Sequence, residues 1–327
     1  NTLSVTYDNT SPSVVVSTTA TSPTNVSPIP VTLTFSEAVT GFVVGDITVT
    51  NGTAGNFVAV SSTVYTASIT PTATGTVTVS VIAGVAQDAA TNNNLASNVL
   101  SVNFDNSRPT VVVSSTAVSP TSVSPIPVTI TFNKAVTGFI LGDITVTNGT
   151  AGTFTAVSST VYTVNVTPTA NGVVSVSVAA GVAQDAATNN NLASNTLSLT
   201  YDNTSPTVVV STTATSPTRT SPIPVTFTFS EAVTGLVVGD ISVLNGTVGN
   251  FTAVSSTVYT ASITPTVDGV VTVSAPAGVA QDAATNGNLV SNTLSVTYDN
   301  TSPTVVISTT ASNPTNTAPI PVTITFS

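Results

Sequence analysis

Between residues 31 and 36 apolar and polar positions alternate: Val31, Leu33 and Phe35 against Thr32, Thr34 and Ser36. A period of two puts one row of side chains on a core and the other in solvent, the pattern of a half-buried strand. Ile47 and Val49 alternate with Thr48 and Thr50 in the same way, as do Tyr65, Ala67 and Ile69 within Val64 to Thr70, then Val77, Val79 and Val81, then Leu100, Val102 and Phe104. Two short apolar stretches, Val14-Val15-Val16 and Phe57 to Val60, bring the set to seven predicted strands. The connections carry turn chemistry: three prolines in Ala20 to Pro30, the pair Asn51-Gly52, the segment Pro71 to Gly75, and the longest loop, Gly84 to Ser97. No stretch shows a helical period. Seven short strands rich in β-branched residues predict a β-sandwich.

The whole pattern then recurs. The phrase Tyr7-Asp8-Asn9-Thr10-Ser11-Pro12 returns with its Asp at 105, 202 and 299, a constant spacing of 97 residues. A fixed period of domain length denotes an array of similar units, and about this length is enough for one independent core. The predicted division is residues 1–8 as the end of a preceding repeat, 9–104 as repeat 1, 105–201 as repeat 2, 202–298 as repeat 3, and 299–327 as the start of a fourth. Asn1 to Tyr7 matches Asn98 to Phe104 and Pro319 to Ser327 matches Pro28 to Ser36, so the chain reads as a window on a longer repetitive protein. Proline in each linker fixes φ and pushes the residue before it toward extended backbone, so consecutive units are expected to line up as a rod.

Composition narrows the function classes. Cysteine and histidine are absent, so there is no disulfide framework, no thiolate metal site and no usual general base for a nucleophilic triad. Thirteen acids and three bases give a net charge of −10, which leaves no footprint for nucleic acid or an anionic membrane. No apolar run is long enough to span a bilayer. Charged residues are only 5% of the chain, yet 41% are hydrophobic, enough apolar surface to build cores. Without a disulfide or Trp, aliphatic and Phe/Tyr packing must hold each unit together.

The ordered phrases PIPVTLTFSEAVTGF, GDITVTNGT, YTASITPT and GVAQDAATNNNLAS resemble the bacterial immunoglobulin-like repeats of very large surface adhesins, and the resemblance covers the whole chain. It implies an all-β protein of tandem immunoglobulin-like seven-stranded sandwiches, exported to the cell surface. It also implies calcium at domain junctions, as in some relatives.

Twelve of the thirteen acids fall at four repeat positions. The linker position holds Asp8, Asp105, Asp202 and Asp299. The end of the second strand holds Glu37 and Glu231, with Lys134 between them. The start of the third strand holds Asp46, Asp143 and Asp240, and the long loop holds Asp88, Asp185 and Asp282. In a sandwich whose strands alternate direction, all four positions gather at the pole facing the preceding unit. Carboxylates brought together repel unless a cation or proton intervenes, and calcium takes six to eight oxygen ligands. Asn92, Asn93 and Asn94 are candidate amide donors. Two readings stand for these acids: calcium ligands at the junctions, or caps of local turns. Lys134 makes a site in repeat 2 the most doubtful.

Other motifs take bland readings. The Gly41 to Gly45 stretch has no following Lys and no helix, so it is no phosphate loop. Asn51-Gly52-Thr53 reads as a turn before a glycosylation acceptor, and the Thr-x-Thr runs as the solvent face of strands. Isopeptide cross-links need a Lys in each unit, and two of the three lack one. The expected role is mechanical and non-catalytic: a spacer or stalk of a surface adhesin whose receptor-binding part lies outside this segment. The alternative is a filament or sheath subunit, its neutral flanks meeting other copies laterally or end to end.

Overall fold

The computed structural model describes residues 1–327. Repeat 1 contains β1 (Val14–Ser17), β2 (Ile29–Phe35), β3 (Ile47–Thr50), β4 (Gly52–Ala59), β5 (Val64–Pro71), β6 (Gly75–Val81) and β7 (Leu100–Phe104). Two antiparallel sheets form, in the orders β1-β2-β5-β4 and β3-β6-β7. This is the strand arrangement of a constant-type immunoglobulin sandwich. Repeat 2 repeats it from β8 (Val111–Ser115) to β14 (Leu197–Tyr201), and repeat 3 from β15 (Val208–Ser211) to β21 (Leu294–Tyr298). A final pair, β22 (Val305–Ser308) and β23 (Thr323–Phe326), matches the first two strands of a repeat. The residues form two compact units, one of 1–117 with 124–199, the other of 118–123 with 200–327.

The alternation read from sequence sets the core. β2 buries Ile29, Val31, Leu33 and Phe35 and turns Pro30, Thr32 and Thr34 outward. Its partner β5 places Ile69, Ala67 and Tyr65 opposite Ile29, Val31 and Leu33. From the other sheet come Val77, Val79, Val81, Val102 and Phe104. One end of this core is aromatic: the Phe42 ring lies 5.2 Å from Phe35 and 5.1 Å from Tyr65, both edge-on, and Tyr65 stacks on Phe57. The buried Tyr65 hydroxyl donates to the Val39 carbonyl, 3.2 Å away, so its polar end is satisfied.

Two core positions differ among repeats in a compensating way. Opposite the central Tyr stands Leu33 in repeat 1 and Phe227 in repeat 3, while Phe42 in repeat 1 becomes Leu236 in repeat 3. Large and small have exchanged places around the same Tyr, which conserves volume. Leu236→Phe alone is therefore expected to overpack repeat 3 and cost about 1–3 kcal/mol, and adding Phe227→Leu to recover most of it. Urea denaturation of the single and double variants checks the coupling.

The structure departs from the sequence reading in two connections. The fourth strand starts at Gly52, five residues before the expected Phe57, because Asn51 alone (φ +54°) carries the chain from one sheet to the other. Gly52 is required there: a Cβ would meet the Thr70 carbonyl oxygen at 3.0 Å and the Ile69 side chain at 3.1 Å. The proline-rich Ala20 to Pro30 segment is not free loop throughout. The Thr24 N–H donates to the Asn103 carbonyl and the Asp105 N–H to the Thr24 carbonyl, so this segment covers the outer edge of β7. A covered edge is one fewer template for unwanted pairing.

Candidate metal centre

The 97-residue period puts a linker Asp, the residue two after the second strand, and a long-loop Asp at one pole of every sandwich. In repeat 1 the carboxylate oxygens of Asp8, Glu37 and Asp88 lie within 4.8 Å of one another, and in repeat 3 those of Asp202, Glu231 and Asp282 do the same. The linker Asp of repeat 1 is exposed, Glu37 half-buried, and Asp88 buried.

Local hydrogen bonds aim these groups. The Asp8 carboxylate accepts the Thr10 N–H at 2.9 Å, a turn within the linker. Asp88 accepts the backbone N–H of Asn92 on one oxygen and its side-chain amide on the other, both at 2.9 Å. The same Asn92 amide reaches the Asp8 carbonyl at 3.2 Å, which ties loop to linker. Repeat 3 copies this through Asn286, bonded to Asp282 and to the Asp202 carbonyl. Hydrogen bonds from Asn92, working against burial, hold the Asp88 carboxyl below the ordinary range. The loop itself is fixed by Asn94, whose buried side chain accepts the N–H groups of Val85 and Ala86 and donates to the carbonyls of Ile82 and Leu95.

Several residues expected at the site are elsewhere. Asp46, Asp143 and Asp240 do not join the clusters. Each closes a single 3-10 turn by accepting, at 2.8 Å, the N–H three residues before it, from Val43, Ile140 and Val237 respectively. In each case the nearby backbone donor engages the carboxylate within its own turn. Asn94 has its amide oxygen committed to the loop backbone, and the Asn93 oxygen accepts from Gln87. Asp299 accepts the Thr301 N–H, and the 327 residues contain no counterpart of Glu37 or Asp88 for it.

Repeat 2 is organised differently. Lys134 stands at the Glu37 position, and its ammonium lies 2.7 Å from an Asp105 oxygen and 3.2 Å from an Asp185 oxygen. It also reaches the Ser107 carbonyl at 2.6 Å and the Ser107 hydroxyl at 2.7 Å. The equivalents of Ser107 are Thr10 and Thr204, so repeats 1 and 3 possess the same carbonyl and hydroxyl in addition to three carboxylates. Clustered carboxylate oxygens are the hard donors that calcium takes. The Ser107 contacts with Lys134 escaped sequence reading because one carbonyl among many carries no signal.

The electrostatics differ accordingly. Burial, then the charges of Asp8 and Asp88, hold the Glu37 carboxyl above its ordinary 4.5, and burial, then Asp282 and Asp202, do so for Glu231. Asp105 goes the other way: partial burial opposes ionisation, but bonds from Lys134 and Ser107 outweigh it and hold the carboxyl below 3.8. The contribution of a raised acid is full below its unfolded value and lost as pH rises through its folded value, and a lowered acid behaves conversely. In chelator, repeats 1 and 3 are thus expected to gain stability as pH falls through the interval just above 4.5. Repeat 2 is expected to lose stability only as pH falls through and below 3.8. Thermal melts in chelator across the acidic range check both signs.

The head of repeat 2 also touches the preceding repeat. Within the first unit, the Asn189 amide of the repeat 2 loop donates to the Asp105 carbonyl at 2.8 Å. Asn25, in the β1–β2 segment of repeat 1, donates to the Asn189 oxygen at 3.3 Å.

A tandem immunoglobulin-like sandwich with an acidic head at the linker defines a class of structural repeat modules. The chain belongs to the bacterial Ig-like domain family, which matches residues 8–104, 105–201 and 202–298. A search of curated proteins gives no match. Among solved structures it is similar to invasin, a bacterial integrin-binding protein, at 16% identity and a TM-score of 0.36, covering 92% of this chain. The chain spans 62% of the length of that invasin structure. It is also similar to InvD of Yersinia pseudotuberculosis, at 14% identity and a TM-score of 0.38, covering 89% of this chain and 98% of that one. No helix is long and apolar enough to cross a membrane.

Proposed function

We propose that this chain is a structural, non-catalytic segment of an extracellular, cell-surface bacterial protein, a spacer or stalk of a large adhesin in which calcium fastens the linkers at Asp8 and Asp202 to the domains that follow them. One observation carries the reading: the linker Asp of repeats 1 and 3 shares a carboxylate cluster with the loop Asp of its own domain. A cation there links two parts of the chain that a hinge motion would separate. The family supports a repeat role, because its domain matches three consecutive stretches of this chain. Catalysis lacks support, since no His or Cys exists to supply a base or thiolate nucleophile.

A second reading, lateral assembly of copies into a filament or sheath, is supported by one repeated surface feature. Val15, Val112 and Val209 are each more than half exposed on the first strand of their repeats, an edge strand with no Lys to block pairing. Light scattering and electron microscopy of the purified chain across concentration separate the two. Monodisperse single particles at high concentration support the spacer, and concentration-dependent fibres support the filament.

A further inference from the structure

The chain has three basic residues, Arg108, Lys134 and Arg219, and two of them bind the repeat 2 loop that carries Asp185. Lys134 replaces a Glu found in both neighbouring repeats, and Arg108 replaces the Ser found at positions 11, 205 and 302. The Arg108 guanidinium donates to the carbonyls of Asn190 and Asn191, at 2.8 and 2.9 Å, in the same loop that carries Asp185. Three carboxylates in repeats 1 and 3 thus correspond, in repeat 2, to two carboxylates and two cations.

The position of the ammonium is informative. It sits among four oxygens, from Asp105, Asp185 and the Ser107 carbonyl and hydroxyl. That shell is how a bound cation would be held by the equivalent atoms of repeats 1 and 3. The repeat 2 site is therefore an internal comparison for its neighbours: same scaffold, same two Asp positions, positive charge supplied by the chain itself. Burial of the ammonium opposes its charge, and the bonds to Asp105 and Asp185 outweigh this.

We propose that Lys134, with Arg108, is a permanent replacement for the divalent cation in repeat 2, so that two cation-dependent repeats flank one that is locked without metal. The proposal rests on the calcium reading above and adds a pattern to it. Removing calcium then loosens the heads of repeats 1 and 3 and leaves the linker between repeats 1 and 2 fastened.

Calcium titration calorimetry on the full chain tests this by counting ions. The expected stoichiometry is two for the native chain, three for Lys134→Glu combined with Arg108→Ser, and one for Glu37→Lys combined with Ser11→Arg. Three ions in the native chain would overturn the replacement by Lys134 while leaving the calcium reading intact. No binding at all would overturn both. An unchanged count of two in both variants would overturn the role of the basic pair. Circular dichroism establishes that each variant folds. If the Lys134→Glu protein does not, the Glu37→Lys protein decides alone, since it gains a bridge already present in repeat 2. Hydrogen exchange gives a second readout: chelator is expected to speed exchange of the Asn92 and Asn286 amides and to leave that of Asn189 unchanged.

Discussion

Calcium at a hundredfold excess over its dissociation constant is expected to stabilise repeats 1 and 3 by about 2.7 kcal/mol each through mass action. For domains of this size each kcal/mol shifts the unfolding temperature by roughly 4–8 °C. Like charges repel at these heads. One carboxylate oxygen each from Asp8, Glu37 and Asp88 lies within 4.8 Å of the others, and burial, then the charges of Asp8 and Asp88, raise the affinity of Glu37 for protons. A divalent ion removes that repulsion and adds carboxylate coordination, whereas in the unfolded chain the three ligands are scattered over eighty residues of sequence. Calorimetric melts in calcium and in chelator measure the shift. Repeat 2, with its Lys134 bridge, serves as a reference inside the same molecule. Superimposable melting curves in the two conditions would sink the metal reading.

The second large effect is structural. Asn94→Ala is expected to destabilise repeat 1 by about 2–4 kcal/mol, since four hydrogen bonds worth roughly 0.5–1.5 kcal/mol each are lost and buried partners are left unsatisfied. Asn94 is 1% exposed, so water cannot replace its amide without opening the loop. Asn191 and Asn288 make matching bonds in repeats 2 and 3. Because this loop carries Asp88, the variant is also expected to weaken calcium affinity at repeat 1, although Asn94 supplies no ligand. Denaturation in urea gives the first number and titration the second. A variant as stable as the parent would show that the loop is held by its ends alone.

Strand positions were legible because a two-residue period has one physical cause, burial of one face. Val31, Leu33 and Phe35 follow it residue by residue. The meeting of Asp8, Glu37 and Asp88 was legible as well, because alternating strand direction forces those three connections to one pole. Asp46 was not separable from them by sequence, since topology brings it to the same region. Its carboxylate lies at hydrogen-bonding distance from the Val43 N–H, and a donor three residues away meets no competition from a cluster across the pole. The Asn92–Asn93–Asn94 run looked like three equivalent amides, yet burial separates them: Asn94 is structural and Asn92 bridges the Asp88 carboxylate to the linker backbone.

By itself the sequence determined the array and its chemistry. A period of 97 residues and the alternation of apolar positions settle tandem β-sandwiches. The substitution at position 134 was visible there too, as a base where the neighbouring repeats have Glu. Only the tertiary structure brought Arg108 and Lys134 to the same loop. Lys134 follows the second strand and Arg108 precedes the first, yet Lys134 binds the Asp185 carboxylate and Arg108 the carbonyls of Asn190 and Asn191, all in one loop. The physical reason is that strand pairing fixes which loops share a pole, while the nearest backbone donors and acceptors fix where each side chain points once it is there.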